Sequence, residues 1–348
     1  MLPFRTATPL RRLLLALATG ILIASYTCQA QIVSGSMKVH WDEGSPHCAA
    51  GLHIPLQVHS YNSRTFIFRE NLCSTSEAPF LYLLIGANRS LLIDTGDVAD
   101  PARMPLAATV MKLIADHPST SRGLLVVHTH RHLDHRSGDP QFAHLANVQV
   151  VGFDLASIQR FYGFKDWPNG LAQIDLGDRI VDVIPSPGHN ETELCFYDRE
   201  TGLLFSGDFL MPARLLIENA ADDRASTQRL LRFLGERPVT FVLGGHIEED
   251  AAGQLFAWQS QYHPHEQVLQ MTRADLLALP TALESFNGFY TVQGRFTMEN
   301  TIRILIVSAL LGFAVLAVII WWIVHLIRRR RTQKPTARQA AVAAAARE

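Results

Sequence analysis

His128-Thr129-His130-Arg131-His132-Leu133-Asp134-His135 puts four imidazoles and a carboxylate into eight residues, directly after the apolar run Leu124-Leu125-Val126-Val127. A buried strand running into so many imidazoles points to metal chemistry, because neutral imidazole and carboxylate are ligands that Zn²⁺ takes at about 2.0–2.2 Å. His130 and His132 stand two apart in an extended loop, so both rings face one side. Asp134 and His135 then face a neighbouring position. The missing ligands must come from elsewhere: His189 to complete a three-histidine cup, His246 as the third ligand of the neighbouring position, and Asp208 to bridge the two. Two ions about 3.5–4 Å apart form a hydrolytic pair. The plain alternative for 130–135 is a solvated polar loop, and for His189 or His246 taken singly a satisfied loop histidine. His128 reads as a strand-end residue. His40, His47, His53, His59, His263 and His265 are dispersed and read as surface or packing residues.

Each candidate ligand lies where an apolar run stops. "LLI" ends at Asp94, "LLVV" at the histidine cluster, "VIPSPG" at His189, "LLFSG" at Asp208 and "FVLGG" at His246. Loops at strand ends converge on one rim of a sheet, where sites are usually built. Gly188, Gly207 and Gly244-Gly245 allow tight turns and close backbone approach at these points. "FLYLLIG" with "LLIDTGD" reads as a hairpin, as does "ELCFYD" with "LLFSGD". Helices are expected at 100–116, in a short segment after Asp154, and at 226–234, where Gly235 and Pro238 act as stop signals. Alternating strands and helices indicate an α/β or mixed sandwich.

The run from His130 to His135 with Gly138, then Ser186-Pro187-Gly188-His189, Ser206-Gly207-Asp208 and Gly244-Gly245-His246, with Asp94-Thr95-Gly96 upstream, resembles the metallo-β-lactamase superfamily. The resemblance spans roughly Phe80 to His246, with the motifs in the family's order. It implies an α+β fold, a four-layer αββα sandwich with the site at the sheet edge, and two Zn²⁺ as cofactors, with iron or manganese as other occupants. It places Asp94 behind the ligands and not among them. In such a site a hydroxide between the ions attacks a carbonyl or phosphoryl centre, and the catalytic Asp134 orients it and passes a proton to the leaving group. The expected substrate is a small ester, lactone, lactam or thioester. Asp208 argues against the lactamase branches, which carry Cys or no acidic bridge there. Glutathione thioesterases carry the bridge but add a helical extension, for which the stretch between His246 and Ile304 is short. The other readings are an iron-dependent oxidoreductase in the same cup and a non-catalytic binding module. Retention of all seven ligands speaks against the second of these.

The two ends carry different signals. Arg5, Arg11 and Arg12 precede the apolar run Leu13–Ala24, and Ala30 is a plausible cleavage point, so 1–30 reads as an export signal. Ile304–Val324 is 21 residues without a charge, about 31 Å as a helix and close to the ~30 Å hydrocarbon core. Trp321 and Trp322 sit at its far end and Arg328, Arg329, Arg330 and Arg331 follow. The positive-inside rule puts the tail, 325–348, in the cytoplasm and the domain, 31–300, outside it, tethered to the membrane. The tail is basic and Ala-rich, expected to be disordered or weakly helical. Residues 31–302 hold 20 basic and 31 acidic residues, net −11, once the three Arg before them and the eight basic residues and one acid after them are set aside. Such a domain is a poor match for nucleic acid, and no protein partner can be inferred. An oxidising compartment permits a Cys48–Cys73 disulfide. Cys195, in a strand, reads as a buried free thiol.

Overall fold

Period-two alternation along the strands divides the apolar side chains among separate cores. The structure is a computed structural model that describes residues 32–50, 53–117, 123–332 and 337–347, so the export signal expected at 1–30 lies outside the described residues. A first sheet holds β1 (Leu56–Asn62), β2 (Thr65–Glu70), β3 (Phe80–Ile85), β4 (Ser90–Ile93), β5 (Leu124–Val127) and β6 (Val148–Val150), in that order. β1 to β4 pair antiparallel, and β5 and β6 are added parallel. The second sheet takes β7 (Ala172–Asp175), β8 (Ile180–Pro185), β9 (Leu194–Asp198) and β10 (Leu203–Gly207). β11 (Arg214–Leu216) leaves it, and β12 (Phe241–Gly244) and β13 (Gln270–Met271) extend it past β10. β14 (Tyr290–Gln293) and β15 (Phe296–Glu299) join β11 in a small third sheet. The helices are α1 (Leu106–Ala115), α2 (Leu155–Tyr162), α3 (Ala220–Leu234), α4 (Arg273–Ser285), α5 (Thr301–Thr332) and α6 (Ala337–Ala345).

On β3, Phe80, Tyr82 and Leu84 face the second sheet, where Val181, Val183, Phe196 and Phe205 meet them. Leu81, Leu83 and Ile85 point the other way, onto Leu106, Val110 and Ile114 of α1. On β9, Leu194 and Phe196 face inward, while Cys195 and Tyr197 pack with Leu230 of α3 and Leu276 and Leu279 of α4. The result is helix, sheet, sheet, helix, as the resemblance implied. Each such fully buried side chain contributes about 1.5–3 kcal/mol. Cys195 is a buried free thiol.

Several boundaries depart from the sequence reading. The helix expected from Asp100 starts at Leu106, because Asp100 closes a turn on Ala102 and Arg103 and Pro105 precedes the first helical residue. α3 starts at Ala220, six residues before the expected Ser226, with Asn219 capping the amides of Ala221 and Asp222. β1, β2, β7, β11, β13, α4 and the β14–β15 hairpin were not anticipated. Cys48 and Cys73 form the expected disulfide, which holds the N-terminal segment to the loop after β2. A loop of 25 residues is worth roughly 3–4 kcal/mol in the chain-entropy model. α5 contains the expected 304–324 run and is longer, 32 residues, because arginine is a good helix former and the helix continues through it. Thr301–Arg329 is long and apolar enough to cross a membrane, and its apolar stretch is not buried in the protein. Part of the tail is helical, as α6.

Candidate metal centre

The five strand ends expected to carry ligands meet at one rim. β4 and β5 are neighbours in the first sheet, and β8, β9, β10 and β12 in the second. Backbone bonds tie the rims together, Leu194 N–H donating to Thr129 O (2.7 Å) and Phe80 N–H to Gly245 O (2.8 Å), while Gly245 N–H donates to Gly207 O (2.8 Å) within the second sheet. After β5 the chain bends through Thr129–Arg131, is extended at His132, then makes a helical turn, Leu133–His135, that buries His135 and leaves Leu133 in solvent.

His130, His132 and His189 form one group, and Asp134, His135, Asp208 and His246 another. In the first, His132 Nδ1 is 2.9 Å from His130 Nε2 and 3.1 Å from His189 Nε2. In the second, His135 Nε2 and His246 Nε2 are 3.3 Å apart, and each is 3.2 Å from Asp134 Oδ2. Asp208 faces both groups. Its Oδ1 is 3.3 Å from His135 Nε2 and 3.6 Å from His246 Nε2, and its Oδ2 is 3.6 Å from His189 Nε2.

These side chains fit a divalent ion in each group. His189 Nδ1–H donates to Leu216 O (2.9 Å) and His246 Nδ1–H to Glu77 O (2.7 Å). A carbonyl only accepts, so each of these rings turns the lone pair of Nε2 into the site. His135 Nδ1 likewise lies on Asp94 Oδ2 (2.9 Å), so the Nε2 lone pairs of His135 and His246 face each other across 3.3 Å, which is repulsive unless a cation lies between them. Nitrogens on one tetrahedral Zn²⁺ at about 2.0–2.1 Å stand roughly 3.3–3.4 Å apart, close to the observed spacing. Asp208 Oδ1 is buried with no hydrogen-bond partner among the described residues.

Asp94 stands behind the ligands. It accepts from Thr129 N–H (2.7 Å) and Thr129 Oγ1 (2.8 Å), and its Oδ2 lies 2.9 Å from His135 Nδ1. His128 turns away from the cup onto Asp139 (2.8 Å). Neither ligand group includes His40, His47, His53, His59, His263 or His265. Glu193 was missed. It is fully buried, its Oε2 lies 3.4 Å from His130 Nδ1 and its Oε1 accepts from Asp208 N–H (3.3 Å). In "HNETEL" it looks like a solvated loop charge, and its neighbour Leu194, the first residue of β9, is the one hint that the loop is already inside. Asn190, whose Nδ2 is 3.1 Å from His132 Nε2, was missed for the same reason. Two glycines are required by space. A Cβ on Gly245 would lie 2.3 Å from Asp208 Oδ1, and one on Gly207, at φ +52°, would meet Glu193 and Thr129 at 2.7 Å.

The protein's own charges treat the groups differently. Burial opposes a charge on His135 and His246. At His135 the carboxylates of Asp134, Asp208 and Asp94 outweigh it and raise the pKa well above the usual value. At His246, Asp208 and Asp134 raise it to about 10. Burial lowers His130, His132 and His189, and the neighbouring imidazoles add to the effect. Burial also opposes ionisation of Asp134 and Asp208, but the histidines hold both well below the carboxylate range. Glu193 is pushed well above that range by burial and by Asp208.

Residues 77–246 match the family described as the metallo-beta-lactamase superfamily. The acyl-coenzyme A thioesterase MBLAC2 of Gallus gallus is 28% identical over 246 residues, covering 60% of this chain and 85% of that one. Its Homo sapiens counterpart is 26% identical over 57% of this chain and 83% of its own length. The mitochondrial hydroxyacylglutathione hydrolase of Saccharomyces cerevisiae is 32% identical over 44% of this chain and 59% of its own length. Among solved structures, a metallo-beta-lactamase from Pontibacter korlensis superposes with a TM-score of 0.46 at 18% identity, covering 66% of this chain and all of that one. The family match falls on the segment that holds both ligand groups, and that segment is a metallo-beta-lactamase superfamily domain.

Proposed function

We propose that this chain is a membrane-tethered thioester hydrolase that works with two Zn²⁺. His130, His132 and His189 would hold one ion, Asp134, His135 and His246 the other, and Asp208 would hold both. Asp208 is the observation that carries this reading. Its two oxygens face different histidine groups, and Oδ1 is buried without a hydrogen bond. A carboxylate between two dications offsets their mutual repulsion. When bound, such a metal pair supplies an activated water and polarises the substrate carbonyl. Asp134, with its side chain 18% exposed, stands at the open side of its group. It would take a proton from the water as the water oxygen bonds to the acyl carbon, and return it to the departing sulfur as the carbon–sulfur bond breaks. Asp94 and the carbonyls of Glu77 and Leu216 hold the imidazoles in orientation.

The thioester class is supported by the relatives, since acyl-coenzyme A and hydroxyacylglutathione both carry the acyl group on sulfur. The tether rests on α5, and export of the domain on Arg328–Arg331 at its far end. The test is thiol release by the full chain from an acyl-coenzyme A and a hydroxyacylglutathione, beside an oxygen ester and a β-lactam. Thiol release should dominate, disappear with a chelator and return with Zn²⁺. Faster β-lactam turnover, or thiol release indifferent to chelation, would contradict the proposal. Protease added to intact spheroplasts should digest the domain and spare the tail, and a protected domain would overturn the orientation.

A further inference from the structure

The first ligand group is tied directly to the foot of α5. β11 pairs parallel with β15, the strand that runs into that helix, Leu216 opposite Glu299. Ile217 N–H donates to Glu299 O (2.8 Å), and Asn300 Nδ2 donates to Ile217 O (2.7 Å). Asn300 Oδ1 accepts from Arg303 N–H in the first turn of the helix (2.9 Å). Leu216, in the same strand pair, gives the carbonyl that orients His189. A largely apolar cavity of about 130 Å³ runs along this seam. Its lining takes in His132 and His189 of the first ligand group, Leu216, Ile217 and Glu218 after them, and Glu299, Asn300, Thr301 and Ile302 at the foot of α5.

The surface around the foot of α5 carries exposed apolar side chains beside the exposed Arg303. Ile302 is 55% exposed. Beside it, on β14 and just before it, Tyr290, Val292 and Phe289 are exposed, and Phe289 O accepts from Asn300 N–H (2.8 Å). Aromatic and aliphatic side chains clustered at the end of an apolar helix mark the membrane interface and not open water.

From this continuity we infer that the cavity is an acyl groove, opening at the bilayer surface, and that the substrate is an acyl thioester whose chain lies partly in the membrane. The inference rests on the thioester reading and adds where the substrate comes from and what holds it. The carbonyl lies at the histidine end. The first methylenes follow Leu216 and Ile217, and the rest of the chain leaves past Ile302 along α5 into lipid. A cavity of this size takes only the first part of a long chain, so the bilayer completes the binding site.

The test uses the full chain in phosphatidylcholine vesicles, with acyl-coenzyme A substrates from two to sixteen carbons. kcat/KM should rise with chain length, by roughly fourfold for each methylene taken up while the groove is filling. Ile302→Asp should reduce turnover of the sixteen-carbon substrate at least tenfold more than turnover of the two-carbon one. A diazirine-bearing sixteen-carbon acyl thioether should label peptides containing 214–218 and 299–304 in the unmodified protein, which keeps the test independent of how the variant folds. Thiol release without chain-length preference, or label confined to other peptides, would overturn the groove and leave the thioester reading in place. Thiol release from none of the substrates would remove both.

Discussion

The two ligand groups lie side by side and are electrically opposite. The group of His130, His132 and His189 contains only imidazoles, and burial pushes all three pKa values down. Its donors are neutral and ready to ligate near pH 7. The group of Asp134, His135 and His246 contains the acid that pulls protons onto its own histidines. There an incoming cation must displace protons before it meets nitrogen. Asp208 raises the imidazoles of both groups, but only in the second does Asp134 add enough to outweigh burial. One carboxylate couples a site that is neutral to a site that is acidic.

Removing the coupling should have the largest effect. Asp208→Ala is expected to drop metal content from about two ions per chain toward one or none. Hydrolysis should fall by more than the ~10–100-fold usual for loss of an outer partner. Elemental analysis beside a rate assay measures both, and a variant that kept two ions and near-full activity would break the comparison. Gly245→Ala is next. Its new Cβ falls 2.3 Å from Asp208 Oδ1 and 2.9 Å from His135 Cε1, so the second ion should be lost while the fold and the first ion are retained. Metal analysis and circular dichroism on the same sample distinguish this from unfolding.

Asp94→Ala should act on one group only. Asp94 orients His135 and touches none of the first group, so affinity for the second ion is expected to fall about 10–100-fold while the first is held as before. Stepwise zinc titration with a competing chelator would show it, and equal weakening of both steps would argue against two separable groups. The smallest effect is in protons. His135 and His246 are raised, so in protein stripped of metal they carry protons at pH 7 that loading must release. Affinity at the second position should therefore climb with pH toward about 10, the value for His246. At the first position the lowered pKa values predict little pH dependence near neutrality and weakening only in acid. Calorimetry in two buffers of different ionisation enthalpy reads the released protons directly, and equal release at both steps would remove the distinction.

Much of this centre is legible in the chain because each ligand terminates an apolar run. Periodicity finds the strand, and the first polar residue after it lies at the rim. His189, Asp208 and His246 were readable in this way, and His130 and Asp134 from the crowding of imidazoles and acid in the loop after β5. Glu193 was not, because its burial is decided by the bond from Leu194 to Thr129 between two sheets, 65 residues apart in sequence. The carbonyls of Leu216 and Glu77 that orient His189 and His246 carry no side-chain signature at all. The pairing of β11 with β15 is non-local and parallel, so nothing in either segment announces the other, and with it the link from α5 to His189 stayed hidden. α4 is a different kind of miss. Thr272 and Asp275 form a capping box at its start, a local signal that the apolar pattern around it was too weak to support.

The most direct test of the bridged centre is anomalous diffraction at the zinc edge from crystals of the zinc-loaded protein. The account predicts two peaks about 3.5–4 Å apart, one bound by His130, His132 and His189, the other by Asp134, His135 and His246, with one oxygen of Asp208 on each. A single peak, or two peaks with Asp208 bound to neither, would contradict it.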